Sequence, residues 1–239
     1  MIEKLLLKLR ARDAVSDAEA AALRSLIGEV REFPARHTVI RKGEALDQSL
    51  LLLDGMMCRY KDLRNGRRQI SALHVAGDFL DLHSFTLKRL DHDVMSLTPT
   101  RVGIAPHARL RQITEELPHL TRLLWFSTNL DAAMHREWEL SLGQRTAVAR
   151  AAHLLCELHL RLDVVGLARP QGFDLAINQT ELAECMGITA VHMNRVLKEL
   201  RELGLATVRN KEVVIHDLDG LKRLAEFDPT YLYLRQQPL

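Results

Sequence analysis

The alternation of apolar and polar positions changes rhythm several times along the chain. Over residues 2–31, Ile2, Leu5, Leu6 and Leu9, then Ala22, Leu23, Leu26, Ile27 and Val30, recur at spacings of three and four, the period of amphipathic helices. Ser16 followed by Glu19 forms a capping box, which predicts the start of a second helix there. From Phe33-Pro34 a shorter beat takes over. Glycines fall at 43, 55, 66 and 77, and Asp54-Gly55 and Asn65-Gly66 are dipeptides that accept the positive φ of tight hairpins. The segments between them, 50–53, 56–60 and 69–75, are of strand length, and 94–104 continues the pattern after a loop. Short strands at even spacing predict an antiparallel roll or barrel.

Beyond Pro118 the helical beat returns, with Leu120, Leu123, Leu124, Leu130, Met134, Trp138 and Leu140 spread over some 25 residues free of internal glycine or proline. One long helix is expected. Its apolar residues form two neighbouring stripes, one through Leu123, Phe126, Leu130 and Ala133, the other through Leu120, Leu124, Met134 and Trp138, which is more than one packing surface needs. One stripe is assigned to the roll and the other to a second subunit, with Leu120, Leu123, Leu124, Leu130 and Met134 as the dimer-helix candidates. Gly143 is expected to mark a hinge, residues 146–162 a further helix, and 167–173, with Gly166, Pro170 and Gly172 in or beside it, a loop.

Composition narrows the class without naming it. The 239 residues are 47% hydrophobic, 27% charged and 5% aromatic, which suits one large or two modest globular domains and excludes collagenous or wholly disordered chains. A net charge of +2 supplies no global field, so any nucleic-acid binding must come from a local patch. Cys58, Cys156 and Cys185 lie far apart with no Cys-x-x-Cys pair, which points to reduced thiols rather than a disulfide framework or zinc ribbon. No apolar run approaches a membrane span, and the first residues lack a secretory core, so a soluble cytoplasmic protein with no membrane partner is expected.

The most informative stretch begins at Gln179. Counting from it as position 1, Leu182 stands at 4, Ala183 at 5, Met186 at 8, Gly187 at 9, Met193 at 15 and Val196 at 18, the slots of a helix-turn-helix. The small residue lets the two helices approach, the glycine turns the chain, and the apolar positions lock the crossing. Asn178 with Glu181 can cap the first helix and Thr189 the second. After Leu205, two short apolar segments flank the polar turn Arg209-Asn210-Lys211, as a wing requires.

A second helix lying in the major groove presents its first turns to base edges. Arg195 is then the leading base reader, because an arginine can donate two hydrogen bonds to O6 and N7 of guanine, worth roughly 1–3 kcal/mol of discrimination. Asn194 suits adenine, His192 a base or phosphate, and Ala190 or Val191 a thymine methyl. Thr180, Thr189, Lys198, Arg201, Arg209 and Lys211 are phosphate candidates, which position a protein on double-stranded DNA without specifying sequence.

The whole order resembles the cyclic-AMP receptor/FNR (Crp/Fnr) family of bacterial transcription regulators. The likeness rests on Arg41-Lys42-Gly43-Glu44 followed by residues 50–55, on Gly77-Asp78-Phe79, and on residues 179–200 with Arg195 at the family's base-reading arginine. It implies an α+β architecture in three parts: a cyclic-nucleotide-binding-like β-roll (double-stranded β-helix) sensor over 1–116, a dimerisation helix over 117–142, and a winged helix-turn-helix over 143–239. It also implies a homodimer on an inverted-repeat promoter site and contact with RNA polymerase. For the effector pocket the resemblance points to Asp81, His83, Ser84, Arg89, His135 and Arg136. The glutamate that holds ribose in cyclic-AMP-binding members is missing from Leu80-Asp81-Leu82-His83-Ser84-Phe85, and Asp91 and Asp93 beside Arg89 repel an anion. The effector is therefore expected to be something other than cyclic AMP, or absent. No cysteine precedes Cys58, so the N-terminal iron–sulfur ligand set is lacking. Haem on His83, or redox sensing at Cys58, is the alternative.

No Gly-x-x-x-x-Gly-Lys loop, Gly-x-Ser-x-Gly elbow or His-Glu-x-x-His pair is present, so the sequence is not read as an enzyme. His153, Glu157 and His159 share a helix, too few ligands for a metal site by themselves.

Overall fold

The computed structural model describes residues 1–238, which gather into two compact units. The first comprises Met1–Lys61, Ala72–Ala132 and the residues from Tyr233 on, and the second Asp62–Ser71 with Ala133–Leu232.

In the first unit, α1 (Glu3–Arg12) and α2 (Asp17–Leu26) follow the helical spacing, and Ser16 and Glu19 cap each other as the sequence predicts. The helix ends four residues sooner than the apolar spacing suggests. Ile27 leaves the helical conformation and Val30 lies in β1 (Glu29–Phe33), because β1 pairs with β7 (Thr100–Pro106) and that distant partner overrides local periodicity. Between them run β2 (Thr38–Ile40), β3 (Gln48–Asp54), β4 (Met56–Asp62), β5 (Arg68–Val75), the single turn α3 (Ser84–Leu87) and β6 (Asp93–Ser96). Two antiparallel sheets result, in the orders β1-β7-β3 and β2-β6-β4-β5. The expected strand 94–104 is thus two strands in different sheets. Asp54-Gly55 likewise joins strands of different sheets, making a corner rather than a hairpin. Gly55 takes φ +88°, and a Cβ there would fall 2.4 Å from the Pro99 carbonyl oxygen. Asn65-Gly66 does close the β4–β5 hairpin.

The four leucines of β3 show how the unit is layered. Leu51 and Leu53 pack with Leu5, Leu6, Leu9 and Leu23 of the helical pair, while Leu50 and Leu52 turn into the roll against Met57, Val94, Val102 and Ile104. A strand covered on both faces reads as an unbroken apolar run, since successive side chains point opposite ways. The helix α4 (His107–Glu116), which the sequence reading missed, adds Leu110 and Ile113 to the first of these cores.

The long helix α5 (Pro118–Gln144) is present, but Gly143 lies within it, and the break falls at Arg145–Thr146, where Thr146 caps α6 (Ala147–Val164). Of the five expected dimer-helix residues, three are already engaged within the protomer. Leu120, Leu123 and Leu124 are buried in the first unit's own core, and a helix turn of 100° per residue sets Leu130 and Met134, both half-buried, on the side of Leu123. The exposed side carries Trp125 (66% exposed), Asn129, Ala132, Arg136 and Leu140.

In the second unit, the stretch read as a loop at 167–173 forms β8 (Ala168–Arg169) and β9 (Gly172–Asp174), completing a sheet in the order β10-β11-β9-β8 with β10 (Ala206–Arg209) and β11 (Glu212–Ile215). The helices α7 (Gln179–Met186), α8 (Ala190–Glu202) and α9 (Leu218–Ala225) and a 3₁₀ turn (Pro229–Leu232) complete it. Glu157 of α6 is fully buried. Arg161 Nη1 donates to it at 2.9 Å, Tyr231 Oη at 2.8 Å, and Trp138 Nε1 to both its oxygens. Burial and this anion together push the Tyr231 phenol far up, so it remains a donor. Among the described residues no helix is long and apolar enough to cross a membrane.

Candidate nucleic-acid interface

The local sequence builds the helix-turn-helix almost unaided. The Asn178 side chain accepts the Glu181 N–H at 2.8 Å, and the Glu181 carboxylate accepts the Asn178 N–H at 2.7 Å, so α7 starts on a complete capping box. Gly187, at φ +65°, ends it in the left-handed conformation, with its N–H donated to the Ala183 carbonyl. Thr189 then accepts the His192 N–H at 3.2 Å and opens α8. Leu182, Ala183, Met186, Met193 and Val196 are all buried, joined by Leu197 and Leu200. Within the same unit, Gln69 Nε2 donates to the carbonyls of Glu184 (2.8 Å) and Cys185 (3.3 Å), satisfying acceptors that the end of α7 leaves open. Sequence reasoning missed that residue, since nothing local marks it.

With one face of α8 locked inward, the other is free for a ligand. Val191, His192, Asn194, Arg195, Lys198 and Arg201 are exposed, and Ala190 is half-buried in the first turn. A groove of about 410 Å³ is lined by Gln179, Asn194, Arg195, Lys198 and Arg201 of the helices and by Thr207 and Arg209 of the wing strand. Four of those residues are cationic. Lys198 lies 3.5 Å from Glu202, an exposed i,i+4 pair that leaves the ammonium largely solvated. Thr180 is exposed in the first turn of α7 and Thr189 at the start of α8. Lys211 stands at the wing tip, where Asn210 (φ +54°) and Lys211 (φ +63°) both take the left-handed conformation of a type I′ turn. Such a cationic, convex helix beside a turned wing can enter a groove of a polyanion, with phosphate contacts from the flanks and base contacts from its centre.

The residues expected at an effector pocket are distributed differently. Asp81 is fully buried; one carboxylate oxygen accepts the Leu50 N–H at 2.6 Å and the other the Ser84 hydroxyl at 3.1 Å. Burial pushes its acid up to about 6 despite those donors and nearby Arg59. Ser84 also meets Ser49 and His107 Nε2, at 3.3 Å each. Half-buried His83 places its ring centroid 5.6 Å from that of His92. Exposed Arg89 donates from Nη1 to the Gly43 carbonyl at 2.5 Å. His135 and Arg136 belong to the second unit, half-buried and exposed respectively. Cys58 is buried in β4, and burial raises the Cys156 thiol to about 12.

Sequence reasoning also passed over Arg59, although a single arginine amid the buried β4 run Met56–Tyr60 was a signal. Its Nε and Nη2 donate to the Leu80 carbonyl at 2.8 and 2.6 Å and its Nη1 to Asp131 at 2.5 Å. These groups do not fit a cyclic nucleotide. A phosphodiester needs a cation with donors to spare, whereas Arg89 is turned to Gly43, Asp81 contributes an acid, and buried Arg59 is already matched by a carboxylate.

Comparison with known proteins follows the same division. Residues 30–116 match the cyclic nucleotide-binding domain and residues 149–224 the Crp-like helix-turn-helix domain. A probable transcriptional activator of Rhizobium leguminosarum bv. viciae is 31% identical over 215 residues, covering 82% of this chain and 85% of the relative. The transcriptional activator protein FnrL of Cereibacter sphaeroides is 28% identical, covering 86% and 84%. Among solved structures, FixK2 from Bradyrhizobium japonicum superposes with a TM-score of 0.75 at 22% identity, covering 82% of this chain and 96% of that one.

Proposed function

Because the chain belongs to the Crp/Fnr family of DNA-binding transcription regulators, we propose that it acts as a homodimer whose two α8 helices read an inverted repeat, with Arg195 as the guanine reader. The observation that carries this reading is the capped, inward-locked α8 whose outer face brings Arg195 and Asn194 together with Lys198, Arg201 and Arg209 along one groove. In this reading Arg195 and Asn194 reach base edges in the major groove, His192, Val191 and Ala190 meet the neighbouring bases, and Thr180, Thr189, Lys198, Arg201, Arg209 and Lys211 hold phosphates. The half-sites lie one helical turn apart, roughly 34 Å.

Residues 1–116 serve as the regulatory roll, 117–142 as the dimerisation helix and 143–239 as the DNA-binding domain, in a cytoplasmic protein that works with RNA polymerase. The seam between copies runs along Trp125, Asn129, Ala132, Arg136 and Leu140, whose spacing of three and four suits a helix pair and whose apolar members the protomer leaves exposed.

The test is Arg195→Ala on an operator selected from random-sequence DNA. The substitution changes an exposed side chain, so the fold persists while specific affinity falls by about 1–3 kcal/mol per half-site and discrimination at one guanine disappears. Unchanged affinity and unchanged base preference in a gel-shift titration refute the assignment.

A further inference from the structure

Arg59 is a buried cation that joins a strand of the roll to the long helix. It stands in β4 with Met57, Cys58 and Tyr60 buried around it and only 2% of its own surface exposed. Two nitrogens of its guanidinium hold the Leu80 carbonyl, at the start of the segment that carries Asp81, His83 and Ser84. The third reaches the carboxylate of Asp131, near the middle of α5. A planar fork can satisfy both partners at once, which a lysine ammonium, a single point of charge, does not reproduce. Removing a charge from water without a counter-charge is costly, so Arg59 in this position demands an anion across from it. Asp131 supplies that anion only while α5 keeps its present rotation about its own axis. The rotation of the long helix is therefore coupled to β4 and the Leu80 turn by a bond internal to the chain.

We propose that Arg59 is a resident effector: a positioning residue that takes the place of a small molecule, tying β4 and the Leu80 turn to α5 so that the DNA-binding form is reached without a ligand. The proposal rests on the dimeric DNA-binding reading above, in which the orientation of α5 sets the seam between copies.

The experiment uses the full-length protein and an operator recovered from random DNA by selection with wild type. Dialysed wild type binds this operator with nothing added. Arg59→Ala removes the side chain beyond Cβ, a fragment equivalent to ethylguanidinium, and lowers operator affinity about tenfold, within the usual range of coupling between sites. Added ethylguanidinium restores binding, whereas ethylammonium at equal ionic strength does not, because only the former supplies the fork. Asp131→Asn, a change on the helix that leaves Arg59 in place, lowers affinity in the same direction. It decides the matter if circular dichroism shows Arg59→Ala unfolded.

Wild-type affinity in both variants overturns the proposal. So does a loss in Arg59→Ala that ethylguanidinium leaves unrestored, or a wild type that binds only after a small molecule is added. Failure of wild type to select any operator refutes the underlying DNA-binding reading, and is distinguishable because it appears before any variant is made.

Discussion

Trp138 Nε1 donates to both carboxylate oxygens of Glu157, at 3.3 and 3.1 Å, so the indole near the end of α5 is held by a buried anion on α6. Arg161 and Tyr231 approach the same carboxylate, which leaves Glu157 as the common acceptor of three donors from three parts of the second unit. Glu157→Ala removes the buried anion that all three share, and the expected cost is about 3–5 kcal/mol in stability. Glu157→Gln keeps one acceptor oxygen and loses less, about 1–3 kcal/mol. Urea unfolding of the two variants side by side checks the order, and equal losses contradict it.

Trp125 gives the proposed dimer seam a single sensitive position. It is 66% exposed in one protomer, whereas Leu120, Leu123 and Leu124 are already committed to that protomer's core. Under the proposed seam, Trp125→Glu places a charge in an apolar contact between copies and is expected to shift the sedimentation coefficient to that of a monomer with the circular dichroism unchanged. Persistence of the dimer moves the seam off this face.

Asp81 sets a pH dependence whose sign is opposite to that of an ordinary surface carboxylate. Its folded pKa, about 6, lies above the unfolded value of 3.8, so the native state holds the proton more tightly and stability falls as pH rises from about 4 to about 6. Some two pKa units correspond to roughly 2–3 kcal/mol. Asp81→Asn keeps an acceptor for the Leu50 N–H and removes this term. The variant's stability relative to wild type therefore improves across that interval and levels off above it, measured as midpoint denaturant concentration against pH. A difference independent of pH contradicts the burial argument.

The wing tip sets stability against binding. Lys211 sits at φ +63°, a conformation that costs a side-chain-bearing residue about 1 kcal/mol or slightly more. Lys211→Gly removes that strain and raises the melting temperature, and it also deletes a cation proposed to hold phosphate. Operator affinity drops equally for all sequences, and the salt dependence of binding becomes shallower by about one unit of slope. A change in base preference instead assigns Lys211 a reading role.

How much of this was legible in the sequence depends on where each feature's partners lie. The capping boxes at Ser16/Glu19 and Asn178/Glu181, the turn at Gly187 and the six helix-turn-helix positions involve residues close in the chain, and all are present as expected. The spacing of Val30 fits a helix, but its partner Gly103 in β7 places it in a strand. Intrinsic propensity alone points to a hinge at Gly143, yet a helix of 27 residues absorbs one glycine and breaks where Thr146 caps its successor. The dimer-helix residues show a related limit, since Leu120, Leu123 and Leu124 are covered within the protomer. Apolar spacing shows which residues seek burial and is silent on whether the cover comes from the same protomer or another. Arg59 and Asp131 lie 72 residues apart, so neither announces the other in the sequence.

The four consecutive leucines of β3 carry a further consequence. Because they are identical and covered on both sides, sliding the strand by one residue exchanges the contents of the two cores and alters neither their volume nor their polarity, so the leucines encode no register. The frame must be set by what surrounds them. Ser49 hydrogen-bonds His107 at 3.1 Å, the Leu50 N–H meets Asp81, and Asp54 leads into the corner at Gly55. Polar groups at the margins thus act as the alignment marks of an otherwise degenerate strand. A one-residue deletion beside Ser49 or Asp54 should therefore be far more damaging than exchanging any of the leucines for isoleucine.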